Sequence, residues 1–388
     1  MNKPVIKVAA PITGEEEFEA TREVFLSGNF VSGEKVAEFE KRFATYIGVN
    51  QACAVNSGTA ALHTALAVAG IGPGDEVIVP PLTFMSTVTS VLHQNAIPIF
   101  ADIDKDSFCI SPEDIQNKIT ERTKAIIPVH LYGNSANMDK ILKIAEEKNI
   151  HIIEDCAQAH GTEYKGKKVG GMGDMGAFSF FATKHMTTGE GGIITSNNKE
   201  WIEKARQIRS HGMTNRNDHV FLGYNYRMNE MAAAIGLVQL KKLDDFNKKR
   251  IKNSLFLLDA LSHHPSKWFT IPKIEKHIKH TFFWCPLIIN VENGFTAIEV
   301  AKKLRDKGIE VRQRYNEPLY KQKVLQDGNP YPNGCPFTCQ NNVKTQDYKS
   351  LFLPNVETIA GNVIGVPNHP GLSQEDLEYI VEVCKSLY

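Results

Sequence analysis

Apolar residues near the start of the chain recur at helical spacing in two separate stretches. The positions are Phe18, Thr21, Val24 and Phe25 in the first stretch, and Val36, Phe39, Phe43 and Ile47 in the second. The segment SGNFVSG between the two stretches contains glycines, which indicate that the helical pattern is interrupted there. The pattern therefore predicts two amphipathic helices before the first strand.

Short β-rich runs follow these helices and alternate with helix-length segments until about residue 245. The runs are 52–55, 76–79, 97–100, 125–129 and 151–154. Strands that alternate with helices usually form a parallel sheet that is covered by helices on both faces. The alternation predicts an α/β fold with a mostly parallel central sheet.

The pattern changes after this region. From Met228 to about Leu261 it is long and helical, which predicts one connecting helix or a pair of helices. The remainder contains a strand at 282–289, a helix at 297–307, a loop rich in Pro, Gly and Asn at 328–340, and a final amphipathic helix at 374–387. We therefore predict a large domain of residues 1–245 and a smaller C-terminal α/β domain of residues 246–388.

Charge and hydropathy narrow the class of partner. The 44 Lys and Arg residues balance the 44 Asp and Glu residues. The chain thus has no overall field that would attract nucleic acid or an anionic membrane. No stretch of about 20 apolar residues occurs, so no membrane span is expected. A small-molecule partner and a cytoplasmic location are the resulting predictions.

The seven cysteines are odd in number and scattered along a chain long enough to form a core without disulfides. We interpret them as reduced thiols. The nearest pair, Cys335 and Cys339 in GCPFTC, has no second pair at the spacing of a zinc site. These two residues are therefore interpreted as loop thiols, and no metal site is predicted.

Asp155 is the first candidate for chemistry, because it closes the apolar run HIIED. Ligands of α/β sheets bind at the carboxyl ends of the strands, and a carboxylate buried there needs a cationic or hydrogen-bonding partner. The pyridinium nitrogen of pyridoxal 5′-phosphate (PLP) is such a partner, and an acid facing it keeps the ring an electron sink. A helix N-cap or a structural acid is the alternative interpretation of this residue.

Lys184 lies 29 residues later, in FSFFATKHMTTGEGG, between an apolar strand and a turn rich in Thr and Gly. A partly desolvated lysine beside a cationic cofactor loses its proton more readily and can form a Schiff base. An ordinary lysine at a strand end is the alternative. The presence of Asp155 favours the cofactor interpretation.

The motif NSGTAAL (Asn56 to Leu62) follows a strand and opens a helix. Backbone N–H groups at the start of a helix bind anions, so Gly58, Thr59 and Ala60 are predicted to bind a phosphate. The hydroxyl of Ser179 could contact the same phosphate.

Two further positions suit the same cofactor, and one polar turn remains unplaced. Phe84, in VPPLTFMST, could stack on the ring, although a core aromatic is the alternative. Gln158 could donate a hydrogen bond to the phenolic oxygen of PLP. Asn225 and Arg227 lie in a polar turn, GYNYRMNE, which spacing alone does not place.

Taken together, these motifs closely resemble the DegT/StrS family of sugar aminotransferases, which have the PLP-dependent fold of aspartate aminotransferase. The resemblance runs nearly from end to end. Its blocks are SGNFVSG, EFEKRFATYIG, NSGTAALHTALAVAGIGPGDEVIVPPLTF, FADID, TKAIIPVHLYG, IIEDCAQAHG, SFFATKHMTTGEGG and LGYNYRMNEMAAAIGLVQL.

The resemblance implies a role for each matching position. Lys184 would be the Schiff-base lysine, Asp155 the partner of the pyridinium nitrogen, and Gln158 the contact of the phenolic oxygen. Phe84 would cover the ring. The phosphate would be bound by Gly58, Thr59 and Ser179, and by Asn225 of a neighbouring subunit. Sites of this family lie between two chains, which implies a homodimer with two shared active sites.

The resemblance also implies the reaction, which is transfer of an amino group from glutamate to a nucleotide-linked keto-6-deoxyhexose in amino-sugar biosynthesis. Relatives that act as dehydratases carry His where this chain has Lys184. The chain departs from the family at His185, where Asn is usual, and at Arg314 before Tyr315, where His is usual. These three residues and Phe30 are the predicted substrate contacts.

Other functions remain open from the sequence. The acceptor could be a non-nucleotide ketone, such as a keto-inositol or a keto sugar phosphate, and a basic pocket sized for a diphosphate would distinguish the two. A PLP-fold protein without catalysis could act as a regulator. A nucleotide-binding dehydrogenase would need a Gly-x-Gly-x-x-Gly turn after the first strand, and none is present there.

Overall fold

The structure is a computed structural model that describes residues 5–264, 267–328, 330–331, 334–337 and 346–388. The helices are α1 (Glu15–Ser27), α2 (Glu34–Ile47), α3 (Gly58–Val68), α4 (Ser86–His93), α5 (Pro112–Lys118), α6 (Met138–Lys148), α7 (Lys199–Ile208), α8 (Glu230–Ser262), α9 (Ala297–Asp306), α10 (Lys323–Gln326), α11 (Pro354–Ile359) and α12 (Gln374–Ser386). The strands are β1 (Gln51–Val55), β2 (Glu76–Val79), β3 (Ile97–Phe100), β4 (Thr123–Ile126), β5 (His151–Asp155), β6 (Glu163–Tyr164), β7 (Lys167–Lys168), β8 (Met175–Ser179), β9 (Gly192–Ser196), β10 (Phe269–Thr270), β11 (Ile278–Lys279), β12 (Cys285–Ile289), β13 (Arg312–Gln313) and β14 (Val363–Val366).

The central sheet has seven strands in the order β1-β9-β8-β5-β4-β2-β3. The pairs from β3 to β8 are parallel, whereas β9 is antiparallel to both β8 and β1. The predicted α/β fold with a mostly parallel sheet is therefore confirmed. Its strands are almost wholly buried, as expected for a sheet covered on both faces.

The two predicted N-terminal helices are present as α1 and α2, but they bury their apolar residues differently. In α2, Phe39 and Phe43 are inaccessible and form part of a core cluster. In α1, Val24 is buried, whereas Phe18 and Phe25 are 61% and 67% exposed. The apolar face of α1 is thus largely uncovered by the described residues of this chain.

The C-terminal part contains a four-stranded antiparallel sheet in the order β10-β12-β14-β13. The predicted strand at 282–289 begins later, at Cys285, because Phe282 has a φ of 49°, outside the extended region. Helix α8 is one continuous helix rather than a pair. The predicted domain boundary at 245–246 falls inside α8 and stays a prediction.

Two predictions concern composition. Cys53, Cys109, Cys156, Cys285 and Cys384 are buried thiols, while Cys339 lies outside the described residues, so the interpretation of the Cys335–Cys339 pair stays a prediction. Among the described helices, none combines the length and the apolar composition that crossing a bilayer requires.

Candidate active site

The carboxyl ends of β1, β2, β5 and β8 meet at one edge of the central sheet. Strand β9 is antiparallel to β8 and to β1, so β1 and β8 run in the same direction, and β2, β4 and β5 run parallel with β8. The segments that follow these strands therefore lie side by side, although they are far apart in sequence. This arrangement brings the NSGTAAL motif, Phe84, Asp155 and Ser179 to one place.

A cavity of about 550 Å³ opens at this edge. Most of the residues predicted from the sequence line it, namely Gly58, Thr59, Phe84, Asp155, Gln158, Ser179, Lys184, Arg314 and Tyr315. The volume is within the range of small-molecule sites. The structure thus collects these predicted residues around one ligand-sized space.

Asp155 is the last residue of β5 and is 5% exposed. Its Oδ1 accepts the backbone N–H of Ala157 at 3.1 Å, and its Oδ2 accepts the hydroxyl of Thr87 at 2.9 Å. Burial raises the pKa of this carboxyl, and the two hydrogen bonds oppose the rise. A cationic group bound in the cavity would lower the pKa of Asp155 further. The carboxylate of Asp155 is therefore suited to pair with a positively charged part of a cofactor.

The next carboxylate along β5, Glu154, points to the opposite face of the sheet. It accepts the Nε2–H of His130 at 3.0 Å and the backbone N–H groups of Gly170, Met172 and Gly173, each at 2.8 Å. Burial alone would raise the pKa of Glu154, but these hydrogen bonds, led by that from His130, lower it. Glu154 therefore anchors the loop before β8, whereas Asp155 lines the cavity.

Lys184 is half-buried, and its Nζ lies 5.0 Å from the centre of the Phe283 ring. Desolvation lowers the pKa of this amine to about 8, and the charges of Arg312 and Arg314 add to the effect, while Asp155 opposes it. A lysine with such a pKa has an appreciable fraction of free amine near neutral pH. It can therefore act as a nucleophile towards an aldehyde and as a base.

Gly58 and Thr59 open α3 and form an anion cradle with Ser179. A Cβ on Gly58 would lie only 2.7 Å from the Cβ of Ser179, so glycine is required for this approach. In the described part of the chain, the amides of Gly58 and Thr59 have no protein acceptor. The prediction for Ala60 is wrong in one respect, because its N–H caps the helix on Ser57 Oγ at 3.1 Å and is not free for a phosphate.

Gln158 is held in one orientation by two residues. Its Oε1 accepts the backbone N–H of Tyr132 at 3.1 Å, and its Nε2 donates to the hydroxyl of Tyr315 at 2.8 Å. One N–H of the Nε2 group is left for a ligand. Aromatic rings form the neighbouring wall, where Trp284 stacks on Tyr132 at 4.7 Å and lies 5.9 Å from Tyr315.

Besides Ala60, three predicted residues do not line the cavity. His185 is buried on the other side of Lys184, where its Nε2 lies 3.3 Å from the carbonyl of Thr281. Phe30 is 41% exposed, and Asn225 is exposed in a loop, where its carbonyl contacts Asn56. Their proposed substrate and phosphate contacts stay predictions.

The structure also adds residues that the sequence did not indicate. Thr87 binds Asp155, and Phe283, Trp284 and Arg312 line the cavity. Arg312 lies 5.8 Å from the Phe283 ring and 5.7 Å from the Trp284 ring. A signal for Arg312 was available, because residues two apart on an extended segment share a face and Arg314 was already a candidate.

The cavity residues fit PLP. The open amides at Gly58 and Thr59 suit its phosphate, and the buried carboxyl of Asp155 suits a pyridinium nitrogen. The spare N–H of Gln158 suits a phenolic oxygen, and the amine of Lys184 suits an aldehyde. Phe84, with 55% of its surface exposed, offers a ring face for stacking.

Comparison with known proteins agrees with this fit. Residues 11–385 match the model of the DegT/DnrJ/EryC1/StrS aminotransferase family. The GDP-perosamine synthase of Escherichia coli O157:H7 is 34% identical, over 97% of this chain and 96% of its own. The spore coat polysaccharide biosynthesis protein SpsC of Bacillus subtilis strain 168 is 36% identical, over 97% and 95%. The PLP form of Spr1654 from Streptococcus pneumoniae has a TM-score of 0.87 at 27% identity, over 99% of this chain and 98% of its own.

Proposed function

Because the chain belongs to the DegT/DnrJ/EryC1/StrS aminotransferase family, we propose that it transfers the amino group of glutamate to a nucleotide-linked keto-6-deoxyhexose. The family makes the chain a transaminase with PLP as the expected cofactor, and its relatives connect it with amino-sugar and polysaccharide biosynthesis. The observation that carries the proposal is the Lys184 amine, which lies with a lowered pKa in a cavity that also holds Asp155.

In this proposal Lys184 holds the cofactor, while Asp155 and Gln158 orient its ring. The amides of Gly58 and Thr59, with the hydroxyl of Ser179, bind its phosphate. When bound, PLP supplies an electron-poor ring that makes the α-carbon proton of an attached amino acid acidic. The residues of the chain must therefore hold the donor in place and move that proton.

Lys184 is the group that moves the proton. With the donor bound in the cavity, the Nζ of Lys184 would take the proton from the α-carbon of glutamate. A pKa of about 8 suits this task, because the amine is a stronger base than a carboxylate and yet partly unprotonated near neutral pH. In the second half-reaction the same Nζ handles a proton in the reverse direction, at the carbon that carried the acceptor's ketone.

Arg312 and Arg314 favour a nucleotide-linked acceptor. Both line the cavity, and within the described residues neither pairs with a carboxylate. Two guanidinium groups side by side suit a diphosphate, which carries more than one negative charge. A keto-inositol would leave both charges without a partner, so that alternative is less well supported.

We also propose that the active unit is a homodimer with two shared sites. Val220, Phe221 and Leu222 are exposed in the loop that precedes Asn225, and Phe18 and Phe25 are exposed on α1. Exposed apolar groups of this kind favour burial against a second copy. A second copy would also allow Asn225 to reach a phosphate in the neighbouring cavity.

The test begins with the absorption spectrum of the protein with PLP, before and after glutamate. We expect the band of bound cofactor to disappear with glutamate and to return with one nucleotide-linked keto sugar. If no band forms, Lys184 does not bind the cofactor, and the regulator interpretation replaces this one.

A variant pair then tests the class of acceptor. Arg312→Met should raise the KM for a nucleotide-linked keto sugar more than the KM for a keto-inositol, because only the former carries a diphosphate. Arg305→Met is the matched control, since Arg305 is exposed on α9. Equal effects on both acceptors would contradict the assignment of the diphosphate to this arginine.

A further inference from the structure

A second, much smaller void lies next to Lys184 and shares Thr183 and Lys184 with the main cavity. Its volume is about 10 Å³. It is bounded by Ala9, Ala10, Pro11 and Ile12 of the N-terminal segment, by 182–185 and Thr187, by Gln239, Phe246 and Arg250 of α8, and by Pro370. The substrate chemistry proposed above makes no use of this void.

Arg250 is the unusual residue at its wall. It is only 5% exposed, yet within the described residues its guanidinium donates no hydrogen bond and pairs with no acid. Its Nε is inaccessible and without an acceptor. Burial lowers the pKa of Arg250 to about 10, and Arg312 adds to the effect, so the group is still charged at neutral pH. A buried charge without a partner is costly.

Among the residues that the structure describes, none supplies a compensating negative charge beside Arg250. His160, His185 and His369 all have pKa values lowered by burial and by the Arg250 charge, so they are neutral at neutral pH. Gln239 does contact an acid, Glu17, but that acid is already paired with Lys242 at 2.8 Å. The backbone amides of Ala9, Ala10 and Ile12 also have no acceptor in the described part of the chain. The region thus has an excess of donors and of positive charge.

We propose that the void beside Arg250 is a binding site for a single small monovalent anion of the halide class, with chloride as its natural occupant. Such an ion would neutralise the buried guanidinium and accept its unused hydrogen bonds. A neutral water molecule could accept the hydrogen bonds but would leave the charge uncompensated.

The size of the void restricts the occupant. A volume of about 10 Å³ corresponds to about one water-sized particle. A monatomic anion is within reach of this space after a small adjustment of the walls, whereas the carboxylate of an amino acid or the phosphate of a sugar is too large. The site is therefore distinct from the donor and acceptor sites of the main cavity.

Crystals of the PLP-bound protein grown with bromide in place of chloride give the direct test. Bromide scatters anomalously, so an anomalous peak within hydrogen-bonding distance of the Arg250 guanidinium is the expected result. Density at that position without anomalous signal would identify a water molecule and would overturn the proposal.

A solution experiment gives an independent readout. The unfolding midpoint of the PLP-saturated protein should rise with the logarithm of chloride concentration, measured against potassium gluconate at equal ionic strength, because a ligand of the native state stabilises it. Gluconate is too large for the void. The difference between the salts should vanish in Arg250→Met and persist in the exposed-site control Arg305→Met.

Each result of the salt experiment and of the bromide crystals either supports or overturns the anion site. A salt difference that persists in Arg250→Met would overturn it, as would equal midpoints of the wild type in both salts. If Arg250→Met does not fold, the bromide crystals decide alone. None of these results depends on aminotransferase activity, so a failed acceptor assignment leaves the test of the anion site intact.

Discussion

The hydroxyl of Tyr315 accepts a hydrogen bond from the side-chain amide of Gln158 at 2.8 Å. Gln158 follows β5 of the central sheet, and Tyr315 follows β13 of the C-terminal sheet. Tyr315 has a φ of 59°, and its carbonyl accepts the N–H of Gly361 at 2.9 Å. The hydrogen bond from Gly361 thus holds the strained backbone of Tyr315 in place. The bond between Tyr315 and Gln158 then links a predicted substrate contact to a predicted cofactor contact and fixes the orientation of the latter.

Tyr315→Phe should therefore weaken catalysis without unfolding the protein. Loss of one neutral hydrogen bond corresponds to about 0.5–1.5 kcal/mol, or a roughly two- to thirteenfold fall in kcat/KM. Steady-state kinetics with glutamate and the identified acceptor would measure it. Tyr388→Phe, at the half-exposed C-terminus, is the control and should have no effect. An unchanged kcat/KM in Tyr315→Phe would show that the bond does not position Gln158.

Lys184→Ala should abolish aminotransfer and leave the fold intact. The variant loses the group that holds the cofactor and the base that moves the proton. The Lys184 side chain is only half-buried and lines a cavity, so its removal should have little effect on packing. Activity assays and thermal unfolding would measure the two effects. Lys241→Ala, at an exposed position on α8, should keep full activity. Appreciable turnover by Lys184→Ala would contradict the central assignment.

Several of the predicted residues that line the cavity lie at strand ends. Asp155, Ser179 and the NSGTAAL motif each follow or close a run of strand residues, and parallel strands bring their carboxyl ends to one edge. A local pattern was sufficient for these positions because each depends on its own strand. The fold class followed from the same alternation of strands and helices.

The parts that were missed depend on contacts between distant segments. Thr87 binds Asp155 across 68 residues of sequence, and Gln158 binds Tyr315 across 157. No local pattern encodes such pairs. His185 shows that adjacency in sequence is not sufficient either, because it adjoins Lys184 but is buried outside the lining of the cavity.

Asp155→Asn should lower aminotransferase activity severely while preserving or raising the stability of the apoprotein. The carboxyl has a raised pKa in the folded state, so it binds protons more tightly there than in the unfolded chain. Stability is then lost as pH rises through the folded pKa, whereas the amide of the variant does not titrate and carries no such loss. Activity and apoprotein unfolding at pH 7 would measure both effects. Near-normal turnover would mean that Asp155 does not face the cofactor ring.

Glu154→Gln should show the reverse behaviour, with a loss of stability. The pKa of Glu154 is lowered in the folded state, so its contribution to stability is present above the unfolded pKa and is lost as pH falls through the folded pKa. The glutamine amide cannot accept all four of the hydrogen bonds that the carboxylate accepts, and each buried donor left unsatisfied costs about 1–3 kcal/mol. The unfolding free energies of variant and wild type should therefore differ at pH 7 and converge in acid. Glu113→Gln, which breaks an exposed pair with Lys140, is the control. Equal stability of Glu154→Gln and wild type at pH 7 would contradict the anchoring role.

The rate at which the apoprotein captures PLP should rise with pH and level off above about 8, where Lys184 becomes a free amine. Only the unprotonated amine attacks the aldehyde, so the pH of the inflection reports the pKa of the attacking lysine. An ordinary lysine would place the inflection near 10.5. Stopped-flow absorbance of bound cofactor across this range would measure the rate. Because Arg312 and Arg314 contribute to the lowered pKa, Arg312→Met should move the inflection upwards, whereas the exposed-site variant Arg305→Met should not. An inflection that stays near 10.5 in the wild type would show that the amine is not desolvated as the structure indicates.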